Sequence, residues 1–389
     1  MVIILDLRTV RILLVPNKEQ RQYFYDASYY SDRMYNEALQ WNIDYYATDK
    51  KFYSKFELTG MVTEFKKSNP EFTNVDRYIL TEAVINLRTA FNRMRIGAGF
   101  PRFKKIGRKL SFGVRADRMT VETNRVRIPS LGWVKCKHCH YLTKYLDKDT
   151  LKSMKYHNPH IKFDGKYWVL TFGVEVNISS DEVTDEVIGI DLGIKNTIYT
   201  SNGVSEPNIN HTRQVINLER RKKRLQRKVS RKYELNKQGK KYIKTRNIKR
   251  MEKQIRLIDR KLHNHRENYN HQITNKIIRR YPARIMLEDL KVRNMVKNRH
   301  LARAIQEQQF YRIRQLLIEK AVNTMSIQVG VIDWKYPSSK MCSRCGHVKK
   351  VLRLSERTFI CGNCGLVIDR DYNASINIRD CKKYKLVAN

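Results

Sequence analysis

No window of this chain holds 18 consecutive apolar residues, and no strongly apolar helix carries a basic face, so neither a spanning helix nor a membrane surface is expected. Acidic residues are scarce. Against 78 Lys and Arg stand 38 Asp and Glu, a formal net charge of +40 with a pI near 10. Such an imbalance repels itself unless a polyanion neutralises it, which makes nucleic acid the expected partner. A secretion signal is not expected either. The opening "MVIILDLRTVRILLVP" is interrupted by Asp6, Arg8 and Arg11 in an alternating pattern that reads as a strand ending at Pro16. Cysteines are few and odd in number, seven in all, and four of them fall in two CxxC pairs. A reducing compartment and metal binding are therefore expected in place of disulfides.

What is present divides the 389 residues into more than one domain, since one core rarely grows beyond roughly 250 residues. After the strand of residues 1–16, Asn17 is placed to cap a helix, and Ile79, Leu80, Ala83, Leu87, Ala90, Phe91 and Met94 recur at helical spacing. A helical module over 17–96 follows. From 97 to 178 the texture is of short runs and turns, with Asp164-Gly165 between alternating strands. This segment reads as a β-rich barrel or sandwich that pairs with the first strand, the helical module being inserted into it.

Residues 179–338 read as an α/β layer. Its buried strands are "VIGID" and "ARIMLEDL", with one helix expected from about Ala302 to Met325 and a strand at "IQVGVIDW". Between the first two strands lies a basic helical region, 213–276. From Arg213 to Lys261 it holds 21 Lys or Arg against four acids. A solvated helical hairpin would explain a milder run; this excess points to nucleic-acid backbone contact. Arg221, Lys222, Arg224, Arg227, Lys228, Arg231 and Lys232 are the candidate contacts there, and Arg102, Lys104 and Lys105 those in "FPRFKKIGRKLSF". Tyr233 and Tyr242 are read either as base-stacking groups or as core.

Cys342-x2-Cys345 and Cys361-x2-Cys364, 15 residues apart, have the spacing of a four-cysteine zinc ribbon over 339–368. Gly346 and Gly365 relieve the turn after each knuckle. Four thiolates leave no open position, so one Zn²⁺ there would hold structure and do no hydrolysis. In "KCKHCH", Cys136, His138 and His140 share one face of a strand while Cys139 points away, which favours ordinary barrel residues over a second metal site.

Asp191 ends one buried strand, Glu288 ends another, and Asp371 opens the C-terminal helical segment within 369–389. Acids at the carboxyl ends of neighbouring strands converge on one sheet edge, where a distant helix can bring a third. Such a cluster is costly unless hard divalent cations, Mg²⁺ or Mn²⁺, bind it. Two ions about 4 Å apart could then serve phosphodiester hydrolysis, which makes the cluster a nuclease site.

The segments "GIDLGIKN", "IMLEDLKV", "PSSKMCSRCG" and "FICGNCGLVIDRDYNASINI" together resemble the TnpB family, insertion-sequence proteins related to the type V CRISPR effector nucleases. The resemblance is looser at "FPRFKKIGRKLSF" and "KYWVLTFGVEV", and it covers most of the chain from Phe100 onward. It implies an RNA-guided DNA endonuclease with a RuvC-like domain of RNase H fold, whose three acids match Asp191, Glu288 and Asp371. Asp369 competes for the third place; Asp371 stands two residues before Asn373, as the final acid does in the family's "DxNA" motif. Ser375 stands where the family often has Ala. The resemblance further implies that residues 1–16 and 97–178 form a split, OB-like wedge domain, that 17–96 is a recognition module, and that the ribbon binds target nucleic acid. A transposon-end-derived guide RNA, double- and single-stranded target DNA and a short target-adjacent motif are implied partners, with one chain per RNA in the prokaryotic cytoplasm, near the nucleoid. A non-cleaving RNA-guided regulator and a protein-only transposase or resolvase are the alternatives.

Overall fold

A computed structural model describes residues 4–137, 155–178, 182–324, 326–353 and 356–388. His138, Cys139 and His140 of the "KCKHCH" segment lie outside the described residues. The chain divides into two compact units, Leu5–Asn177 and one that takes in Ile178–Asn389.

The first unit begins with strand β1 (Ile4–Val15), stopped by Pro16. Asn17 then caps helix α1 (Lys18–Asp49) through a reciprocal box: its side chain accepts from Gln20 N–H at 2.8 Å, while Gln20 Oε1 accepts from Asn17 N–H at 3.1 Å. Helix α2 (Lys55–Ser68) uses Ser54 and Glu57 in the same way, and α3 (Arg77–Arg95) starts at Asp76. Strands β2 (Ser111–Gly113), β3 (Thr120–Val121), β4 (Arg125–Ile128), β5 (Gly132–Lys137), β6 (Tyr156–Phe163) and β7 (Trp168–Ile178) complete the unit. With β1 they form one seven-stranded sheet in the order β2-β6-β7-β1-β5-β4-β3. The β6–β7 turn is at Asp164-Gly165, with Gly165 at φ 95°. Phe24 on α1 packs on Phe112 and Trp168 of the sheet, ring centroids 5.6 and 5.0 Å away. Each such ring contributes on the order of 2 kcal/mol by leaving water.

The second unit is built on a six-stranded mixed sheet. Its strands are β8 (Thr184–Asp191), β9 (Asn196–Thr200), β10 (Ser205–Pro207), β13 (Pro282–Glu288), β14 (Gln328–Ile332) and β17 (Tyr384–Ala388), in the order β10-β9-β8-β13-β14-β17. Strands β8, β13 and β14 run parallel, and β9 and β17 antiparallel to their neighbours. Between β10 and β13 come the basic helices α4 (Arg213–Leu235) and α5 (Arg246–Ile278), joined by a small hairpin of β11 (Lys237–Gln238) and β12 (Lys241–Tyr242). The stretch from β13 to β14 holds α6 (Val292–Met295), α7 (Arg299–Gln308) and α8 (Phe310–Thr324). The ribbon hairpin β15 (Thr358–Ile360) and β16 (Val367–Asp369) leads into α9 (Arg370–Asp380).

Alternation along the strands sends Ile188, Ile190, Ile285, Leu287, Val329 and Val331 to one face, which Ile273 and Ile277 of α5 and Ile313 and Leu317 of α8 cover. The opposite face carries Val187, Met286 and Ile332 against Ile378 of α9. Where one helix was expected from Ala302, the structure has two. Gln309 is left-handed (φ 55°), its side chain accepting from Asn270 Nδ2 at 2.8 Å, and Gln308 donates to the Ile194 carbonyl at 3.0 Å. These tertiary bonds offset the cost of the left-handed residue, about 1–2 kcal/mol, a contest that helical periodicity does not register.

Candidate active site and metal centre

The parallel register pairs Leu287 with Ile190, so the next residues, Glu288 and Asp191, end adjacent strands at one level. Both lie on the Met286 face, two residues from Met286 and Gly189 respectively. Helix α9 crosses that face, and at Gly189 no side chain stands between it and β8. A Cβ on Gly189 would stand 2.1 Å from the Ser375 carbonyl oxygen and 2.5 Å from the Arg379 nitrogen. This close approach seats the first turn of α9, and Asp371 with it, against the strand end.

Asp191 feels the other two carboxylates. Burial, then Asp371, then Glu288 push the Asp191 carboxyl up to about 8, with Arg370 and the Leu192 N–H opposing. Burial pushes Glu288 up to about 7. Part of the Asp191 surface stays open to solvent, although protein surrounds it densely. Asp371 is buried and paired with Arg370 Nε at 3.2 Å and Arg357 Nη1 at 3.5 Å. Asp369, the competing acid, is exposed and caps α9, accepting from the N–H groups of Asp371 (2.9 Å) and Tyr372 (3.0 Å). Asp289 is taken up by Arg314 and Lys291 at 2.6 and 2.7 Å. Three groups escaped the sequence reading: Arg357, Arg370, and Tyr199, which pairs with Asp191 across β9 and whose phenol is raised by burial, Asp369 and Asp371. Nothing in their spacing marked them. The donor set, three carboxylates of which two resist ionisation, suits a hard divalent cation.

Near by in sequence, the sulfurs of Cys342, Cys345, Cys361 and Cys364 lie within 4.8 Å of one another, with Cys342–Cys364 and Cys345–Cys361 both at 3.6 Å. A tetrahedral zinc with bonds near 2.3 Å requires sulfurs about 3.8 Å apart, so the four fit a structural zinc. Among the described residues no second set of three such ligand atoms is drawn as close. Each knuckle is a tight loop: Gly346 N–H donates to the Cys342 carbonyl at 2.9 Å and Gly365 N–H to that of Cys361 at 3.1 Å, both glycines left-handed. Hydrogen bonds from the Asn363 side chain and the His347 N–H hold the Cys345 thiol down at about 6, which favours the thiolate a metal needs.

The ribbon is tied to α9 by two buried asparagines. Asn373 accepts from Ser343 N–H at 3.0 Å and donates to the Met341 carbonyl at 2.7 Å; Asn377 donates to the Ser338 and Met341 carbonyls at 2.8 and 2.6 Å. The first knuckle and the helix that carries Asp371 are thus one hydrogen-bonded piece.

On α4, Arg221, Arg224, Arg227, Lys228 and Arg231 are exposed and Lys232 half-buried, while Lys222 is paired with Asp259 at 2.7 Å. Tyr233 bonds Glu252 and packs edge-on against the exposed Tyr242. In the first unit Arg102 and Lys105 are exposed. Lys104 is engaged with its own protein: its ammonium is 3.2 Å from Asp32 and lies over the Tyr35 ring. No helix among the described residues is long and apolar enough to cross a membrane.

Comparison with known proteins agrees with this layout. A provisionally named RNA-guided DNA endonuclease from Streptomyces pristinaespiralis is 32% identical over 211 residues, 54% of this chain but only 49% of that relative's length. The Escherichia coli K12 protein provisionally named RNA-guided DNA endonuclease InsQ is 26% identical over 372 residues, 89% of this chain and 85% of its own. A solved structure described as a Cas12f1–sgRNA–target DNA complex superposes with a TM-score of 0.60 over 98% of this chain and 100% of that chain; at 12% identity it speaks to the mixed α/β fold alone. One family model, described as a probable transposase, matches residues 171–299 and so includes Asp191 and Glu288. A second, described as a Cas12f1-like TNB domain, matches residues 310–378 and includes the four cysteines and Asp371. With both strand-end acids, both knuckles and the last acid inside these matches, the chain is similar to the TnpB family of insertion-sequence proteins.

Proposed function

We propose that this protein is an RNA-guided DNA endonuclease whose RuvC-like domain, of RNase H type, cuts with Asp191, Glu288 and Asp371. The observation that carries the reading is the register of β8 and β13, which ends two buried strands in acids side by side under a helix bearing a third. Relatives named as RNA-guided DNA endonucleases support it. Two Mg²⁺ or Mn²⁺ ions, when held by these carboxylates, supply an activated water and stabilise the leaving 3′ oxygen.

The chain's own part is to bring the three acids together and to set the pH at which Asp191 and Glu288 ionise. Asp191 and Glu288 hold protons near neutral pH, and those protons must leave before the carboxylates can act as ligands, so cutting should rise with pH through about 7 to 8. Arg370 and Arg357 pair with Asp371 and hold it in place. The zinc ribbon holds α9 through Asn373 and Asn377 and takes no chemical step. The exposed arginines of α4 serve the phosphate backbone, the seven-stranded sheet serves as the wedge that grips the guide RNA, α1–α3 serve as the recognition module, and a short motif beside the target licenses cutting.

The test is plasmid cleavage by the protein co-expressed with its flanking RNA. Asp191→Ala should abolish cutting and leave RNA binding intact; cutting that persists in this variant overturns the assignment. Activity that survives removal of the RNA would instead favour a protein-only recombinase, and RNA-dependent binding without cutting in the wild type a regulator.

A further inference from the structure

Helices α4 and α5 form an antiparallel pair whose seam is apolar, with Val215, Ile258 and Leu262 buried and Leu218 and Leu225 beside them. Beside this seam runs an open groove of 670 Å³. Four amide side chains line it: Gln214 and Asn217 from α4, Asn264 and Asn268 from α5. The lining positions of each helix fall at i, i+3, i+4 and i+7, one face of each.

These amides are not explained by the fold. All four are exposed, and none makes a hydrogen bond among the described residues. Asparagine is a poorer helix former than the Lys, Arg and Glu that fill the rest of both helices. Asn270, close by on α5, shows the alternative: it is buried and bonded to Gln309. Arg221 and Lys261 flank the amides, neither ion-paired among the described residues, with Leu218 at the seam and the His265 ring in the wall. Elsewhere on α4 a second groove, of 460 Å³, is lined by Lys223, Arg227 and Arg231 with Gln226 and Ser230. That second groove carries cations suited to phosphates; the first adds groups that donate and accept together.

We propose that the α4–α5 groove binds an unpaired nucleotide, its base edge read by Asn217, Asn264 and Asn268 and its phosphate held by Arg221 and Lys261. Amides satisfy a base edge with paired donor and acceptor, which a lone cation cannot do, and a splayed-out base needs an apolar or ring surface of the kind Leu218 and His265 offer. The inference rests on the reading of this chain as a nucleic-acid-binding protein, and it adds a base-reading subsite to a surface otherwise suited to backbone contact.

The experiment measures binding of the full-length protein to short fluorescent homopolymers of RNA and of DNA by anisotropy, in magnesium-free buffer so that cutting plays no part. Wild type should prefer one base by on the order of tenfold. The triple variant Asn217→Ala, Asn264→Ala, Asn268→Ala should bind all bases alike while keeping its salt dependence. Lys223→Ala with Arg227→Ala should weaken every homopolymer equally and flatten the salt slope by about one for each phosphate no longer neutralised. Equal wild-type affinity for all bases, or a preference that outlives the triple substitution in a variant with unchanged circular dichroism, overturns the proposal. Base preference in a protein that fails to cut in the plasmid-cleavage test would leave the subsite standing and sink the nuclease; no binding to any strand would sink both. The RNA and DNA arms show which strand supplies the nucleotide.

Discussion

Asp191→Asn should make the protein more stable at pH 8 in magnesium-free buffer, against the usual expectation for a substitution at a buried position. In the folded chain this carboxyl is pushed up to about 8 from an ordinary value of 3.8, so the folded state holds a proton that the unfolded state has released. Below pH 4 both states are protonated and the group costs nothing. As pH rises from 4 to 8 the unfolded state is progressively favoured, and above 8 the whole penalty is present. A shift of that size corresponds at most to about 6 kcal/mol. Water at the open edge of Asp191 and the opposing charge of Arg370 reduce it, and we take about 2 kcal/mol as the expected gain from a neutral amide of the same shape. For a unit of this size that is about 4–8 °C in melting temperature. The assay is thermal unfolding followed by circular dichroism at pH 4, 6 and 8, with and without Mg²⁺. The advantage of the variant should vanish toward pH 4 and shrink when Mg²⁺ is added, because the cation relieves the same repulsion in the wild type. A variant less stable than wild type at pH 8, or one whose advantage is the same at every pH, would refute the reasoning.

Gly189→Ala should cost at least 1–3 kcal/mol, since α9 must retreat by roughly an ångström to admit the methyl, and cleavage should fall by about a hundredfold with RNA binding unchanged; single-turnover cleavage and a gel-shift assay measure the two. Metal analysis should find one zinc per chain in the wild type and none in Cys361→Ser, and that variant should lose cutting although Asp191 and Glu288 are untouched. Asn377→Ala leaves the Ser338 carbonyl without its donor in a buried place and the Met341 carbonyl with Asn373 alone, and unfolding should show a loss of about 2 kcal/mol.

Much of this site could be read in the sequence because its parts announce themselves by local pattern. The four cysteines do so by spacing, Asp191 and Glu288 by the apolar runs that precede them, and the cap at Asn17 and the turn at Asp164-Gly165 by residue type. What could not be read depends on distant partners. The break at Gln308 and Gln309 arises from Ile194 and Asn270, 114 and 39 positions away from the glutamines they bond, which no helical wheel contains. Lys104 looked like its basic neighbours, yet Asp32 on α1 claims its charge. The choice between Asp369 and Asp371 was open in the sequence, where both precede the same helix; it is the cap geometry that gives Asp369 another occupation. Arg357 and Arg370 were hidden among 78 basic residues, and only proximity to Asp371 distinguishes them.

The close approach at Gly189 has a mechanical corollary. Two backbones that touch with nothing compressible between them leave no slack, and protein interiors pass strain along when they have none to absorb it. A push on the cysteine hairpin, felt through its asparagine ties, would therefore arrive at Asp371 undiminished. Any load on the ribbon acts on the far end of a stiff lever whose short arm carries a carboxylate.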